Sequence, residues 1–317
     1  MIITRTPLRL TLGGGGSDSP EYIVDHGGFA LTAAIGQHIY IGINKMFDEG
    51  YRLKYSEVEH AKTVDDIKHP IIREALKLYR IPPGVEIVSM ADIAAGTGLG
   101  SSGAFTVGLC KALATFTDNI LHKEDAAEQA ARIELDILGR PGGKQDHWAT
   151  AMGGVLSLQF YASGHVGDEP LGISAYNLKQ LESSLALFFT GYSRDADYIL
   201  STQSTEGLDE IKAFAYTARD LLIAGQLEHF GSLMNDHWNL KKLRSVDMSN
   251  EHIDECYRHG LRNGAWGGKL VGAGGGGFLL FVAKDHAQLS AAMTEQGLQE
   301  VPVTFDHDGV TIIASER

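Results

Sequence analysis

Cysteine is nearly absent from this chain: its 317 residues carry only Cys110 and Cys256, and neither belongs to a CxxC pair. Two isolated thiols build neither a disulfide framework nor a zinc site, and they fit a reducing compartment. Cations are also in short supply, with 27 Lys and Arg against 40 Asp and Glu and a formal charge of −13. That balance argues against broad binding to nucleic acid or to an anionic membrane. It leaves room for an anionic substrate, because a few local cations can dominate a pocket. No apolar run approaches the ~18 residues of a membrane span. Phe278–Ala283 is a strand-sized stretch, and no signal-type apolar region precedes Gly13. With 44% hydrophobic and 21% charged residues, the composition is that of a globular protein. A cytoplasmic chain of mixed α and β structure is expected.

The pattern along the chain alternates between the two periods. Strands are expected over Ile2–Leu12, within Phe29–Ile43, and over Tyr51–Tyr55, Val85–Met90 and Gly153–Phe160. Helices are expected over Pro70–Tyr79, Gly103–Phe116 and Lys123–Leu138. The second half opens with a strand at Leu185–Thr190. Helices follow at Leu208–Ala224, Leu227–Leu243 and Asn250–Asn263, the first and last of them closed by Gly225 and Gly264. Strand Phe278–Val282, a helix after Asp285, and strands Val301–Asp306 and Val310–Ile313 complete the chain. Runs of strands beside runs of helices favour an α+β fold in two domains over a doubly wound sheet. The boundary is placed in the polar stretch between Ser163 and Leu181, giving domains 1–175 and 176–317.

Glycine is the abundant residue, 38 in all, and it concentrates in three loops. The central one reads Gly96-Thr97-Gly98-Leu99-Gly100-Ser101-Ser102-Gly103 and runs straight into a helix. Glycines let a backbone approach a ligand and turn its N–H groups inward, and a helix start adds unpaired donors and partial positive charge. Phosphate is the ligand this chemistry suits, although serine caps at a plain helix entry would look similar. A Walker loop is excluded: Gly142-Gly143-Lys144-Gln145 and Gly267-Gly268-Lys269-Leu270 both lack the final hydroxyl. A dinucleotide fingerprint fails on context, because Asp118 ends the first helix where the acid should end a second parallel strand. The loop Gly272-Ala273-Gly274-Gly275-Gly276-Gly277 precedes a strand. It reads either as a tight turn between helix and strand or as a backbone-lined wall of the same pocket. Gly13–Gly16 before Ser17-Asp18 invites the same choice between connection and substrate-binding turn.

Taken together these residues resemble the GHMP kinases along essentially the whole chain. The three family motifs occur in order: Pro7-Leu8-Arg9 through Asp18, then Gly98-Leu99-Gly100-Ser101-Ser102, then Gly272 to Gly277. The quadruple glycine before Ser17-Asp18, the segment Gly143-Lys144-Gln145-Asp146 and Asn239–Lys242 are most similar to the bacterial subgroup that phosphorylates D-glycero-D-manno-heptose 7-phosphate. The second motif departs from common members in opening with Ile93-Ala94-Ala95 where proline is usual. The first lacks the acid and histidine of galactokinase-like chains, which tells against galactose.

The resemblance implies an N-terminal domain like ribosomal protein S5 domain 2 and a ferredoxin-like C-terminal domain. It implies ATP held by Gly96, Gly98, Leu99, Gly100, Ser101 and Ser102, and Mg²⁺ held by Ser102 and Glu134. Asp146 stands 12 residues beyond Glu134 and is implied as the base, with Arg9 as its cation. Asp18, Gly15, Gly16, Ser17, Gly274 and Gly275 are expected around a sugar or sugar-phosphate substrate. For a substrate phosphate, Lys144 and Arg194 are the cations near the motifs. Taken alone, Glu134 also reads as a solvated helix face, Asp146 as a helix cap, and Arg9 or Lys144 as surface residues. The expected partners are the small-molecule substrate and, as an option, a second copy of the chain in a homodimer. The readings left open are a kinase of a free hexose or fucose and a non-catalytic regulator that binds ATP and sugar.

Overall fold

The computed structural model describes residues 1–193, 196–201 and 204–316. Two sheets carry the architecture. The first contains β1 (Ile2–Gly13), β2 (Gly28–Lys45), β3 (Tyr51–Lys54), β4 (Val58–Ala61), β5 (Val85–Ala91), β6 (Val155–Phe160) and β7 (Val166–Pro170). The second contains β8 (Leu185–Phe189), β9 (Ala265–Leu270), β10 (Phe278–Ala283) and β11 (Gln299–Val301), and β12 (Thr311–Ser315) then returns to the first.

β2 is the spine of the first sheet. It is 18 residues long, pairs with β1 on one edge, and on the other meets β6 near its start and β5 near its end. The path runs β12-β1-β2-β5-β3-β4, and only the β3–β5 pair is parallel. The β1–β2 register slips between Pro7 and Leu8. A bulge there suits a proline, which cannot donate to a ladder. One face of this sheet carries the Ser101–Phe116 helix, eleven of whose residues are buried. It lies close because Gly108 has no side chain: a Cβ there would fall 2.6 Å from Thr6 Oγ1.

The second sheet runs β11-β8-β10-β9 and is antiparallel throughout. With helices between β8 and β9 and between β10 and β11, this is the βαββαβ order of a ferredoxin-like domain, so the α+β two-domain expectation holds. All six residues of β10 are buried, as a central strand covered on both faces requires.

Three local readings need correction. The strand expected over Val301–Asp306 is β11 at Gln299–Val301, and Phe305 makes only an isolated bridge to Ile35. The Gly272–Gly277 turn joins two strands, not a helix and a strand, because β9 is a strand despite Gly267 and Gly268. Those glycines are needed for packing: a Cβ on Gly267 would lie 1.9 Å from the carbonyl oxygen of Gly231 in the Leu227–Lys242 helix. The helix expected over Lys123–Leu138 is α-helical only to Ala131 and continues as a wider π turn from Arg132 to Ile137. We propose domain limits of 1–175 and 176–317, with β12 crossing back to pair with β1.

Candidate active site

The Ser101–Phe116 helix starts on Gly100, which has φ of 73° and brings no side-chain cap. The N–H groups of its first turn are therefore free of side-chain partners, with the helix dipole behind them. The loop is tied down from both sides. Arg9 N donates to Leu99 O at 2.9 Å, and Arg9 Nη1 donates to Gly98 O at 2.6 Å. Across the cleft, Gly272 touches Gly98 backbone to backbone: a Cβ on Gly272 would sit 2.4 Å from Gly98 Cα. The second and third glycine motifs thus form one wall. Gly274 and Gly275 turn toward Met248, and Gly275 N donates to Met248 O at 2.9 Å.

Arg9 and Asp146 meet as a bidentate pair. Arg9 Nε and Nη2 donate to the two carboxylate oxygens, each at 2.7 Å. The Arg9 side chain is 6% exposed and that of Asp146 32%, so the carboxylate faces the cleft while its cation lies behind it. Burial alone would raise the Asp146 carboxyl, but the charge and hydrogen bonds of Arg9 outweigh it and hold it below the usual range. Gly103 lets the pair reach the glycine loop, since a Cβ there would meet Asp146 Cβ at 3.0 Å.

Glu134 lies in the π turn, buried, and gathers polar partners. Ser102 Oγ donates to Oε2, and Thr106 Oγ1 donates to Oε1 at 2.6 Å. His147 Nε2 lies 3.2 Å from Oε1, and Arg140 Nη1 lies 3.2 Å from Oε2. Burial pushes this carboxyl up, yet His147 and the two hydroxyls bring it down to about 2. A π turn within a helix is a common way to aim one side chain off the regular stripe.

Asp18 is buried, and its Oδ2 accepts from Gln145 N at 3.0 Å, which places it one residue from Asp146. Desolvation and the nearby Asp146 charge raise its carboxyl, although the Gln145 bond pulls the other way. Ser17 is fully buried and uses its hydroxyl on the carbonyls of Gly14 and Phe29, so its contacts lock the turn. Gly15 and Gly16 flank it, Gly16 against Arg244. Lys144 is turned elsewhere: its ammonium donates to both Glu128 oxygens, at 2.7 and 2.8 Å, and to Gly164 O at 2.8 Å. Three protons are thereby used, which leaves none for a substrate phosphate. Arg194 lies outside the described residues.

Several residues of the cleft escape a reading by motif. Gln145 Nε2 donates to Thr11 Oγ1 at 2.7 Å and bridges toward Asp146. His237, Lys241, Arg244 and Lys269 are all buried, Lys241 against the Gly272 loop and Arg244 against Gly16. His237 and Lys241 lie one turn apart on the Leu227–Lys242 helix, and Arg244 follows just past its C-cap, Leu243. That spacing was the available signal.

With this geometry in view, the comparisons with known proteins agree. Residues 68–154 match the GHMP kinases N terminal domain, and residues 218–297 match the GHMP kinases C terminal domain. The chain belongs to the GHMP kinase family and is a phosphotransferase. It is 30% identical to the D-glycero-alpha-D-manno-heptose 7-phosphate kinase of Campylobacter jejuni over 98% of both chains. It is 26% identical to a mevalonate kinase of Archaeoglobus fulgidus, covering 87% of this chain and 92% of that one. A crystal structure of a D-glycero-D-manno-heptose 1-phosphate kinase from Bacteroides thetaiotaomicron superposes with a TM-score of 0.83, at 26% identity and full coverage of both chains. No helix among the described residues is long and apolar enough to cross a membrane.

Proposed function

We propose that this chain transfers the γ-phosphoryl group of ATP to the C1 hydroxyl of D-glycero-D-manno-heptose 7-phosphate. The observation that carries this reading is the Arg9–Asp146 pair, held at 2.7 Å and set against the helix start that would receive the nucleotide phosphates. The similarity to heptose phosphate kinases supports the sugar.

In this account the N–H groups at Ser101–Gly103, with the backbone of Gly96–Gly100, cradle the phosphates of ATP. Asp18 binds sugar hydroxyls, its carboxylate oxygens accepting from them. Asp146 accepts a hydrogen bond from the attacking hydroxyl. As the oxygen–phosphorus bond forms and the bond to the ADP oxygen breaks, the hydroxyl proton passes to Asp146. Arg9 lowers the basicity of that carboxylate, so the proton moves late. This suits phosphoryl transfer, whose loose transition state asks for positioning and charge neutralisation more than for a strong base.

The residues present fit a magnesium ion. Ser102 and Glu134 offer hard oxygen donors, and the Arg140 guanidinium already stands where a cation is attracted, 3.0 Å from Ser102 Oγ and 3.2 Å from Glu134. When bound, the ion would neutralise charge on the phosphates. Among the described residues no cluster of three or more His, Cys, Asp or Glu could hold a metal, which is consistent with an ion shared with phosphates.

The test is ADP release with ATP and Mg²⁺ against heptose 7-phosphate, the unphosphorylated heptose, mannose and fucose. Turnover with heptose 7-phosphate alone is expected. Turnover confined to a free sugar would move the substrate. ATP binding without turnover on any sugar would leave the non-catalytic regulator.

A further inference from the structure

Lys241, Arg244 and Lys269 are buried, at 8%, 8% and 3% exposure. Such residues are almost never buried unless a partner neutralises them. Here no carboxylate among the described residues forms an ion pair with any of the three. Lys241 donates to a backbone carbonyl, that of Gly272. Arg244 donates Nε and Nη2 to Ser204 O at 2.9 and 2.7 Å, while its Nη1 is buried with no partner. The Lys269 ammonium has no hydrogen bond or ion pair to a described residue. His237, 3% exposed, sits one turn before Lys241 with its Nε2 also unpartnered. These groups lie near enough to repel one another: Lys269, Lys241 and Arg244 each act on His237, and Arg9 acts on both lysines.

Three buried basic side chains with no ion pair among the described residues make a place that a bound anion would stabilise. The geometry says which one. Lys241 borders the nucleotide loop, since its acceptor Gly272 lies against Gly98, but that loop has its own free N–H donors. Arg244 lies on the sugar side, where a Cβ on Gly16 would be 2.9 Å from Arg244 Nη1 and where the Asp18 carboxylate is the charge it feels. We infer that Lys241, Arg244 and Lys269, with His237 at the base, form the clamp for the phosphate that the sugar substrate already carries. A guanidinium with a free Nη1 and two ammonium groups match a phosphate dianion in charge and in donors. Lys144, spent on Glu128, takes no part. This inference rests on the reading of the substrate as a sugar phosphate.

The experiment pairs calorimetry with steady-state kinetics, using heptose 7-phosphate and the unphosphorylated heptose as probes on the full chain. Wild type should bind the phosphorylated sugar more tightly. Lys269→Met and Arg244→Met should each lose roughly 10–100-fold in affinity for heptose 7-phosphate, while affinity for the free heptose and KM for ATP stay put. Arg244→Lys should recover part of the loss, which separates the clamp from damage to the fold. If the variants keep the wild-type preference for the phosphorylated sugar, the clamp is wrong and the substrate reading stands. If KM for ATP rises with the loss, the cluster serves the nucleotide and the inference falls. If wild type shows no preference for the phosphorylated sugar, both the substrate reading and the clamp fall.

Discussion

Arg9 and Lys269 are buried basic residues of one cleft, yet Arg9 is gripped by two 2.7 Å bonds to Asp146 and Lys269 has no charged partner among the described residues. The contrast extends to their surroundings. On the Arg9 side each charge is answered: Asp146 by Arg9, and Glu134 by His147, Arg140 and two hydroxyls. On the Lys269 side, Lys241 and Arg244 have only backbone carbonyls as acceptors among the described residues, and His237 Nε2 has no partner. A satisfied network holds its geometry before the substrate arrives, as preorganised catalysis requires. An unsatisfied cluster stores a cost that a ligand removes, as binding requires.

The largest effect expected on the satisfied side is kinetic. Asp146→Asn keeps the shape but deletes the proposed proton acceptor, and kcat should fall on the order of 10²–10⁴ with little change in KM for the sugar. Steady-state ADP release measures it, and a near-normal kcat would break the assignment. Glu134→Gln tests the same side through stability. His147 and the two hydroxyls hold the Glu134 carboxyl well below its ordinary range, so its ionised form stabilises the fold above that range. That contribution fades as pH falls from 4.5 through about 2. Urea unfolding should show the variant weaker at pH 7, with the gap closing as pH drops below 4.5.

The unsatisfied side should respond with the opposite sign. Lys241→Met removes a buried charge without a counter-charge, and the apo protein should gain about 1–2 kcal/mol in urea unfolding at neutral pH. A loss would mean that the ammonium has a structural role. The smallest effect is a count of protons. Burial, with Arg244 and Arg9 facing it, pushes the Lys241 ammonium down to about 7, and Lys269 and His237 crowd the same space. A bound dianion favours the charged form, so binding of the sugar phosphate at pH 8 should take up a fraction of a proton. Calorimetry in buffers of different ionisation enthalpy measures it. Release in place of uptake would contradict the account.

Much of the satisfied side was legible in the sequence, because its residues sit beside glycine motifs at fixed spacing. The structure brings Gly96–Ser102, Arg9 and Asp146 together, as their places beside the motifs suggest. The other side was hidden by its context. Lys241 falls in the Asn239–Lys242 segment that resembles the subgroup, yet on an amphipathic helix, where lysine ordinarily faces water, nothing marked its burial. Lys269 lies in Ala265–Leu270, whose two glycines disguise a strand as a loop. Lys144 misled for the converse reason. It neighbours a motif in sequence, yet its flexible stem carries the ammonium across to Glu128, 16 residues earlier. Proximity in sequence fixes a backbone atom far better than the tip of a long side chain.

The most direct test of the central claim is phosphorus and proton NMR of the product formed from ATP and heptose 7-phosphate. The account predicts one new phosphorus resonance coupled to the anomeric proton, with the original 7-phosphate signal retained. A new phosphate coupled to any other proton, or no new sugar phosphate while ATP is bound, would contradict it.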